Sequence, residues 1–183
     1  MANLTLIYGM RLLPSEEAVE VGTHIGVLSQ GVLLQMAAAD ELVRRPQSLK
    51  VARFFGFRNE LGVRIRERRN GLAQVELGDQ LLQVLDNPDL KEGGQATLIL
   101  QETVFSLAPS EASPNRCRGR ILRKSPLPGG TLIEVELIAE NRPRLRIVIF
   151  GQEQAKRLMA EEVVSFVFSP EDGWLVPNEQ PTV

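Results

Sequence analysis

The spacing of apolar and polar positions changes at Gly56-Phe57: the chain reads as mixed helix and strand before that point and almost entirely strand after it. On the N-terminal side, Leu4–Tyr8 reads as a strand and Ser15 caps a helix over 16–21, whose acidic first turn suits the helix dipole. Two more helices are predicted over 39–45 and 47–55, parted by Pro46. Beyond Gly56, Val63, Ile65 and Glu67 alternate with Arg64, Arg66 and Arg68, and Asn70-Gly71 is a strong two-residue hairpin signal. Ala73, Val75 and Leu77 alternate with Gln74 and Glu76; Gly78-Asp79 turns the chain into a strand over 81–85. A loop from Pro88 to Gly93-Gly94 leads into strands over 96–100 and 104–107. Residues 108–114 are a linker by composition. Strands then follow over 116–123, 131–139, 145–150, 163–168 and 174–176, with a turn over 126–130 and one short helix over 152–159.

The two β stretches look like one unit used twice. Asn59-Glu60-Leu61-Gly62-Val63-Arg64-Ile65 opens the first and Asn115-Arg116-Cys117-Arg118-Gly119-Arg120-Ile121 opens the second, about 56 positions later with one insertion allowed between the segments. Short, evenly spaced strands of this kind suit a small closed barrel of the OB type, which leaves few free edges. The expected fold is therefore mostly β: an OB-like barrel built from two related β segments, 56–110 and 115–177, behind an α/β part, 1–55, with a frayed tail, 178–183.

Composition narrows the partners. A chain of 183 residues can hold one good core or two small ones, and 43% hydrophobic residues is ordinary for a globular protein. A formal net charge of −2 gives no global attraction to nucleic acid or anionic membrane. The only cysteine is Cys117, so no intrachain disulfide can form. No apolar run approaches the ~20 residues that a membrane-crossing helix needs. The N-terminal run lacks a basic stretch before it and reads as a strand, not a signal peptide. One His and one Cys make no metal cluster.

Several short motifs before Gly56 resemble the C-terminal edge of the ATP-binding subunit of an importer-type ABC transporter. They are Glu16-Glu17-Ala18, Ile25-Gly26-Val27-Leu28, Gln30-Gly31, Glu41-Leu42-Val43-Arg44-Arg45-Pro46 and Val51-Ala52-Arg53-Phe54-Phe55-Gly56. Gly56-Phe57 with Asn59, directly after that last helix, resembles the start of the transport-associated OB segment (TOBE) that follows the catalytic domain in the family. Leu100-Gln101-Glu102 stands where the family has Arg-Pro-Glu. The second half resembles the molybdate/tungstate branch: of its Ser-Ala-Arg-Asn-x-x-x-Gly run, Asn115 and Gly119 match, while Ala112 and Pro114 replace the two donor residues. The branch's later Thr and Ser fall near Phe150 and Glu153. The resemblance thus implies a cytoplasmic, mostly β module with a poor copy of the oxyanion site and no oxyanion affinity tighter than about millimolar, or ~4 kcal/mol. A phosphate-binding run G-x-x-x-x-G-K-[ST] is absent from these residues, and Leu13 or Arg11 stands at the place of the family's catalytic His. His24, the single histidine, lies in a strand and is given no role.

Three features remain that could carry chemistry. Period-two arginine ladders (Arg64/Arg66/Arg68, Arg116/Arg118/Arg120 and Arg142/Arg144/Arg146) place each set on one strand face. They read as an anion or single-stranded nucleic-acid track, or as a solvated barrel exterior paired with residues such as Gln74, Glu76, Glu134 and Glu136. Aromatics make up 5% of the chain and none interleaves with the arginines, so stacking platforms for bases are missing. Glu16-Glu17 and Glu161-Glu162 are paired acids without a neighbouring nucleophile, and Cys117 between two arginines reads as a buried structural thiol.

The reading is a non-catalytic regulatory and dimerisation module of an importer ATP-binding subunit, with no cofactor, an expected homodimer and, for a parent subunit, membrane permease partners. The alternative is an oxyanion-sensing domain whose ligand residues are Asn115, Arg116 and Arg118. A single-stranded nucleic-acid-binding OB module is a weaker third choice.

Overall fold

A computed structural model of the chain describes residues 4–8, 24–107, 115–151 and 156–179. The helix expected over 16–21, the linker over 108–114, much of the helix expected over 152–159, and the last four residues lie outside them. The chain divides into two compact units, Met1–Phe57 with Val176–Val183, and Arg58–Leu175. Residues 58–175, with most of both β stretches, form the second unit.

The first unit carries a three-stranded sheet in the order β1 (Leu4–Tyr8), β2 (His24–Ser29), β3 (Val32–Ala38), with β1 parallel to β2 and β2 antiparallel to β3. Gln30 and Gly31 both have positive φ (51° and 80°), the two-residue turn whose twist matches the flanking strands. Helix α1 (Ala39–Arg44) buries Leu42, and α2 (Leu49–Phe54) buries Leu49, Val51 and Ala52. The Ser48 side chain caps α2 by accepting from Val51 N–H at 3.4 Å. Gly56, at φ 84°, ends it, with Phe57 N–H reaching back to the Ala52 carbonyl at 3.1 Å; this is why the helical pattern stops there. The loop between the helices is held by buried Gln35, whose Oε1 accepts from Gln47 N–H (2.8 Å) and whose Nε2 donates to the Arg45 carbonyl (3.3 Å). His24 is exposed at the start of β2. Glu179 pairs with Arg53 at 2.9 Å.

The second unit contains two five-stranded antiparallel sheets. One has the order β13 (Trp174–Val176), β7 (Gln95–Leu100), β4 (Asn59–Arg69), β5 (Leu72–Leu77), β6 (Gln80–Leu85). The other has the order β8 (Ser106–Leu107), β12 (Val163–Val167), β9 (Arg116–Leu127), β10 (Gly130–Leu137), β11 (Arg144–Phe150). The duplication read from the sequence is real, and it is closed by exchange. β8 follows the first segment but joins the second sheet, and β13 follows the second segment but joins the first. One core runs through both, including Ile65, Val75, Leu82 and Leu98 from one half and Ile121, Val135, Ile147 and Phe166 from the other. Phe105, just before β8, sits edge-on to Phe166 and Phe168 at 5.6 and 5.8 Å, which anchors the crossing segment in the second half.

The two halves match down to their irregularities. In β4 the pairing skips Arg66 between Ile65↔Val75 and Glu67↔Gln74; in β9 it skips Leu122 between Ile121↔Val135 and Arg123↔Glu134. These bulges fall at the same step of the repeat, so no insertion separates the opening strands. The bulge also corrects one expectation: β4 alternates cleanly only as far as Ile65, so Arg64, Arg66 and Arg68 do not form one regular ladder.

Candidate functional site

Asparagine opens each half, and the structure shows why. Asn59 donates from Nδ2 to the Arg146 carbonyl (2.9 Å) and accepts at Oδ1 from Arg146 N–H (2.7 Å). Asn115 makes the same pair with Gln83: Nδ2 to its carbonyl at 2.7 Å and Oδ1 from its N–H at 2.8 Å. Each carboxamide imitates one rung of a β-ladder and satisfies the open side of the other half's edge strand, β11 or β6. Both asparagines are buried. Asn115 is thus committed to a backbone bracket, and Arg116 and Arg118 take up different surroundings.

Arg116 and Arg118 lie on the outward face of β9, with Arg118 directly across from Ser165 in β12. Arg116 Nη2 donates to Ser165 Oγ at 3.1 Å, a diagonal contact between the two strands. With Gln80, Leu81 and Val163 they line an open cleft of about 690 Å³. Gln80 is tied across the halves by Nε2 donating to the Ile138 carbonyl at 3.3 Å. No carboxylate among the described residues lies within ion-pair distance of Arg118, and none lines this cleft. A second open cleft, about 670 Å³, is lined by Arg120 and Arg142 together with Asp79, Glu136 and Glu140, so its charges oppose one another.

Most other arginines of the ladders are engaged locally. Arg66 pairs with Glu76 at 2.6 Å, and that contact raises the guanidinium pKa and lowers that of the carboxyl, mainly through the hydrogen bond they share. Arg68 lies 3.3 Å from Asp86 and bonds the Asn87 and Leu90 carbonyls. Arg64 donates to the Gly93 carbonyl (3.2 Å), Arg146 pairs with Glu102 (2.5 Å), and Arg120 is 3.6 Å from Glu161. Arg116 and Arg118 face the cleft they share with Ser165. Cys117 points the other way, into the core, where burial pushes its thiol up to about 12.

Sequence reasoning picked out Arg116 and Arg118 but missed Gln80, Leu81 and Ser165. The Gly78-Asp79 turn located Gln80 along the chain, yet nothing local shows that β6 comes to lie beside β9. Of the positions compared with the molybdate branch, Phe150 is 60% exposed at the end of β11, while Ala112, Pro114 and Glu153 lie outside the described residues. Among the described residues no group of His, Cys, Asp and Glu could hold a metal ion, and no helix is long and apolar enough to cross a membrane.

No protein-family model matches the chain. A stretch of 44 residues, 24% of the chain, is 46% identical to the molybdate/tungstate import ATP-binding protein WtpC of Thermococcus kodakarensis, and covers 13% of that protein. An alignment of 136 residues is 29% identical to the spermidine/putrescine import ATP-binding protein PotA of Oleidesulfovibrio alaskensis, covering 55% of this chain and 36% of that one. The chain therefore spans only a minor part of these relatives. Among solved structures, the cytoplasmic molybdate-binding protein ModG, with molybdate bound, has a TM-score of 0.56 at 14% identity, over 66% of this chain and 97% of that chain. Part of this chain is thus similar to ATP-binding subunits of ABC importers, and its β architecture is similar to the OB-like fold of ModG.

Proposed function

We propose that this chain is a non-catalytic regulatory and pairing module of an importer ATP-binding subunit, one whose parent works with membrane permease subunits. The observation that carries the reading is the joint presence of importer-like motifs before Gly56 and a strand-exchanged β unit built from two similar halves. Pairing has a physical basis in β1, which is hydrogen-bonded on one side only among the described strands and offers the other row of N–H and C=O groups to a second copy. Sedimentation of the full chain at micromolar concentration tests this: a dimer is expected, with no phosphate release from ATP above buffer. Leu6→Pro, which removes a donor from β1, is expected to shift the species to monomer. A wild-type monomer across the concentration range sinks the pairing role, and phosphate release that survives repurification sinks the non-catalytic one.

A second reading, a weak oxyanion contact, is favoured by the cleft of Arg116, Arg118 and Ser165. Guanidinium groups on alternate positions of one strand present donors to two oxygens of a small anion, and the hydroxyl supplies a third. In this reading Asn115 positions the strand instead of touching the ligand. The cleft is open to water, so affinity stays in the millimolar range, and the ionic part is screened by salt.

A further inference from the structure

β6 is the edge strand of its sheet, and most of its open side is closed. Gln83 gives its N–H and C=O to the Asn115 bracket, and Leu85 N–H reaches the Gly173 carbonyl at 3.1 Å. Alternate residues of an antiparallel strand turn their backbone groups the same way, so Leu81 N–H and C=O point to that same open side. No hydrogen bond meets them among the described residues. The cleft that Leu81 lines holds a second unmet group. Gln80 Nε2 is fixed by the Ile138 carbonyl, and its Oε1 is buried without a donor. The walls are partly apolar, with Leu81 54% and Val163 41% exposed. Arg118 has no carboxylate within ion-pair distance among the described residues, and Ser165 Oγ accepts from Arg116, which leaves its O–H to donate elsewhere.

A small inorganic oxyanion supplies only acceptors, so it answers Arg118 and Ser165 and leaves Leu81 C=O and Gln80 Oε1 without donors. A peptide unit carries a donor and an acceptor together, and at a chain end a carboxylate follows directly after it. The open stretch of β6 is short: Asn115 blocks the edge at Gln83, and the Gly78-Asp79 turn precedes the strand on the other side. An internal strand needs several consecutive rungs, whereas a captured chain end needs one. We propose that this cleft docks the C-terminus of another polypeptide. The terminal carboxylate lies on Arg118 and the Ser165 hydroxyl, the last peptide units bond Leu81 and Gln80, and a small apolar terminal side chain rests against Leu81 and Val163. Charge complementarity selects the carboxyl end over the amino end. The docking asks for no free charge on Arg116, which is engaged with Ser165. It goes beyond the oxyanion reading of the same cleft, because it uses the backbone rung, the unmet acceptor and the apolar walls.

Amide chemical shifts of the full chain, titrated with the peptide acetyl-Gly-Gly-Ala-Val as the free acid, test the proposal. The same peptide as its C-terminal amide removes the charge, sodium acetate supplies a carboxylate without a peptide body, and sodium sulfate is the small-oxyanion arm. Saturable shifts are expected at Leu81, Arg118, Val163 and Ser165 with the free acid, at concentrations about tenfold or more below those that the amide or acetate requires. Arg118→Glu, at an exposed position, is expected to weaken the response about tenfold or more while the spectrum keeps its native dispersion; Arg118→Gln serves in its place if the reversal disturbs folding. Leu81→Ala keeps the backbone rung and trims the wall, and is expected to weaken binding by a smaller factor. An amide that binds as well as the acid, or acetate that binds as well as the peptide, overturns the docking, as does the absence of saturable peptide shifts. Sulfate shifts without peptide shifts overturn the docking and leave the oxyanion reading standing; peptide shifts without sulfate shifts do the reverse.

Discussion

Replacing Asn115 by Ala removes one side of a two-bond bracket, and the structure sets the size of the effect. The carboxamide is fully buried and bonds both polar groups of Gln83 at 2.7 and 2.8 Å. Truncation orphans an N–H and a C=O on edge strand β6; leaving such a group unpaired costs about 1–3 kcal/mol when water is excluded. The Gln83 side chain is exposed, so water can reach part of this edge, which places each group near the low end. Adding a small void, the expected loss is about 2–4 kcal/mol. With a urea slope of about 2 kcal/mol/M, the midpoint falls by roughly 1–2 M. Asn59→Ala, the matching change, is expected to fall in the same range because its two bonds to Arg146 are of the same kind and length. Asn115→Asp supplies the pH signature. Its carboxylate can accept from Gln83 N–H but cannot donate to the carbonyl, and burial raises its folded pKa above the unfolded value. The protonated form is therefore favoured in the folded state, so this variant is most stable below about pH 4 and loses stability as pH rises through the folded pKa. Urea unfolding followed by far-UV circular dichroism, with the slope checked for constancy, reads all three variants. A loss below about 0.5 kcal/mol for Asn115→Ala, the level of an ordinary surface change, refutes the bracket.

Gly119→Ala is expected to destabilise by about 1–3 kcal/mol, because its Cβ would sit against the Val135 Cγ1 and 2.9 Å from the Glu136 carbonyl oxygen; a thermal midpoint equal to wild type contradicts the close approach of β9 and β10. Cys117 is expected to resist Ellman's reagent at pH 8 in the folded chain and to react promptly in denaturant, since its buried thiol stays protonated up to about 12. The same raised value means that this thiol favours folding below the unfolded thiol range, and that the contribution fades as pH climbs above it. Fast labelling of the native protein argues against the inward orientation.

Much of the second unit is legible in the sequence because its signals are local. Alternation with period two marks the strands, Asn70-Gly71 fixes a hairpin whose two residues adopt φ of 54° and 77°, and the recurrence of Asn, Ile and an arginine-rich run exposes the duplication. The stop at Gly56 is equally local, since a left-handed residue ends the helix wherever it stands in a fold. The importer resemblance also comes from contiguous motifs. Strand exchange belongs to another class. β8 has two residues and β13 three, too few to carry a periodic signal, and which sheet accepts them depends on edges built by residues far away in the chain. The two bulges are hidden for a related reason: they shift register without changing composition, so the arginine ladder of β4 looks regular until its partner strand is in place. Period two says which residues share a face but not what lies opposite that face. The sequence alone thus determined that Arg116 and Arg118 point together and that Asn115 begins a repeat. Only tertiary packing, by bringing β6 of one half beside β9 of the other, turned Asn115 into a bracket and put Gln80 and Leu81 next to the arginines.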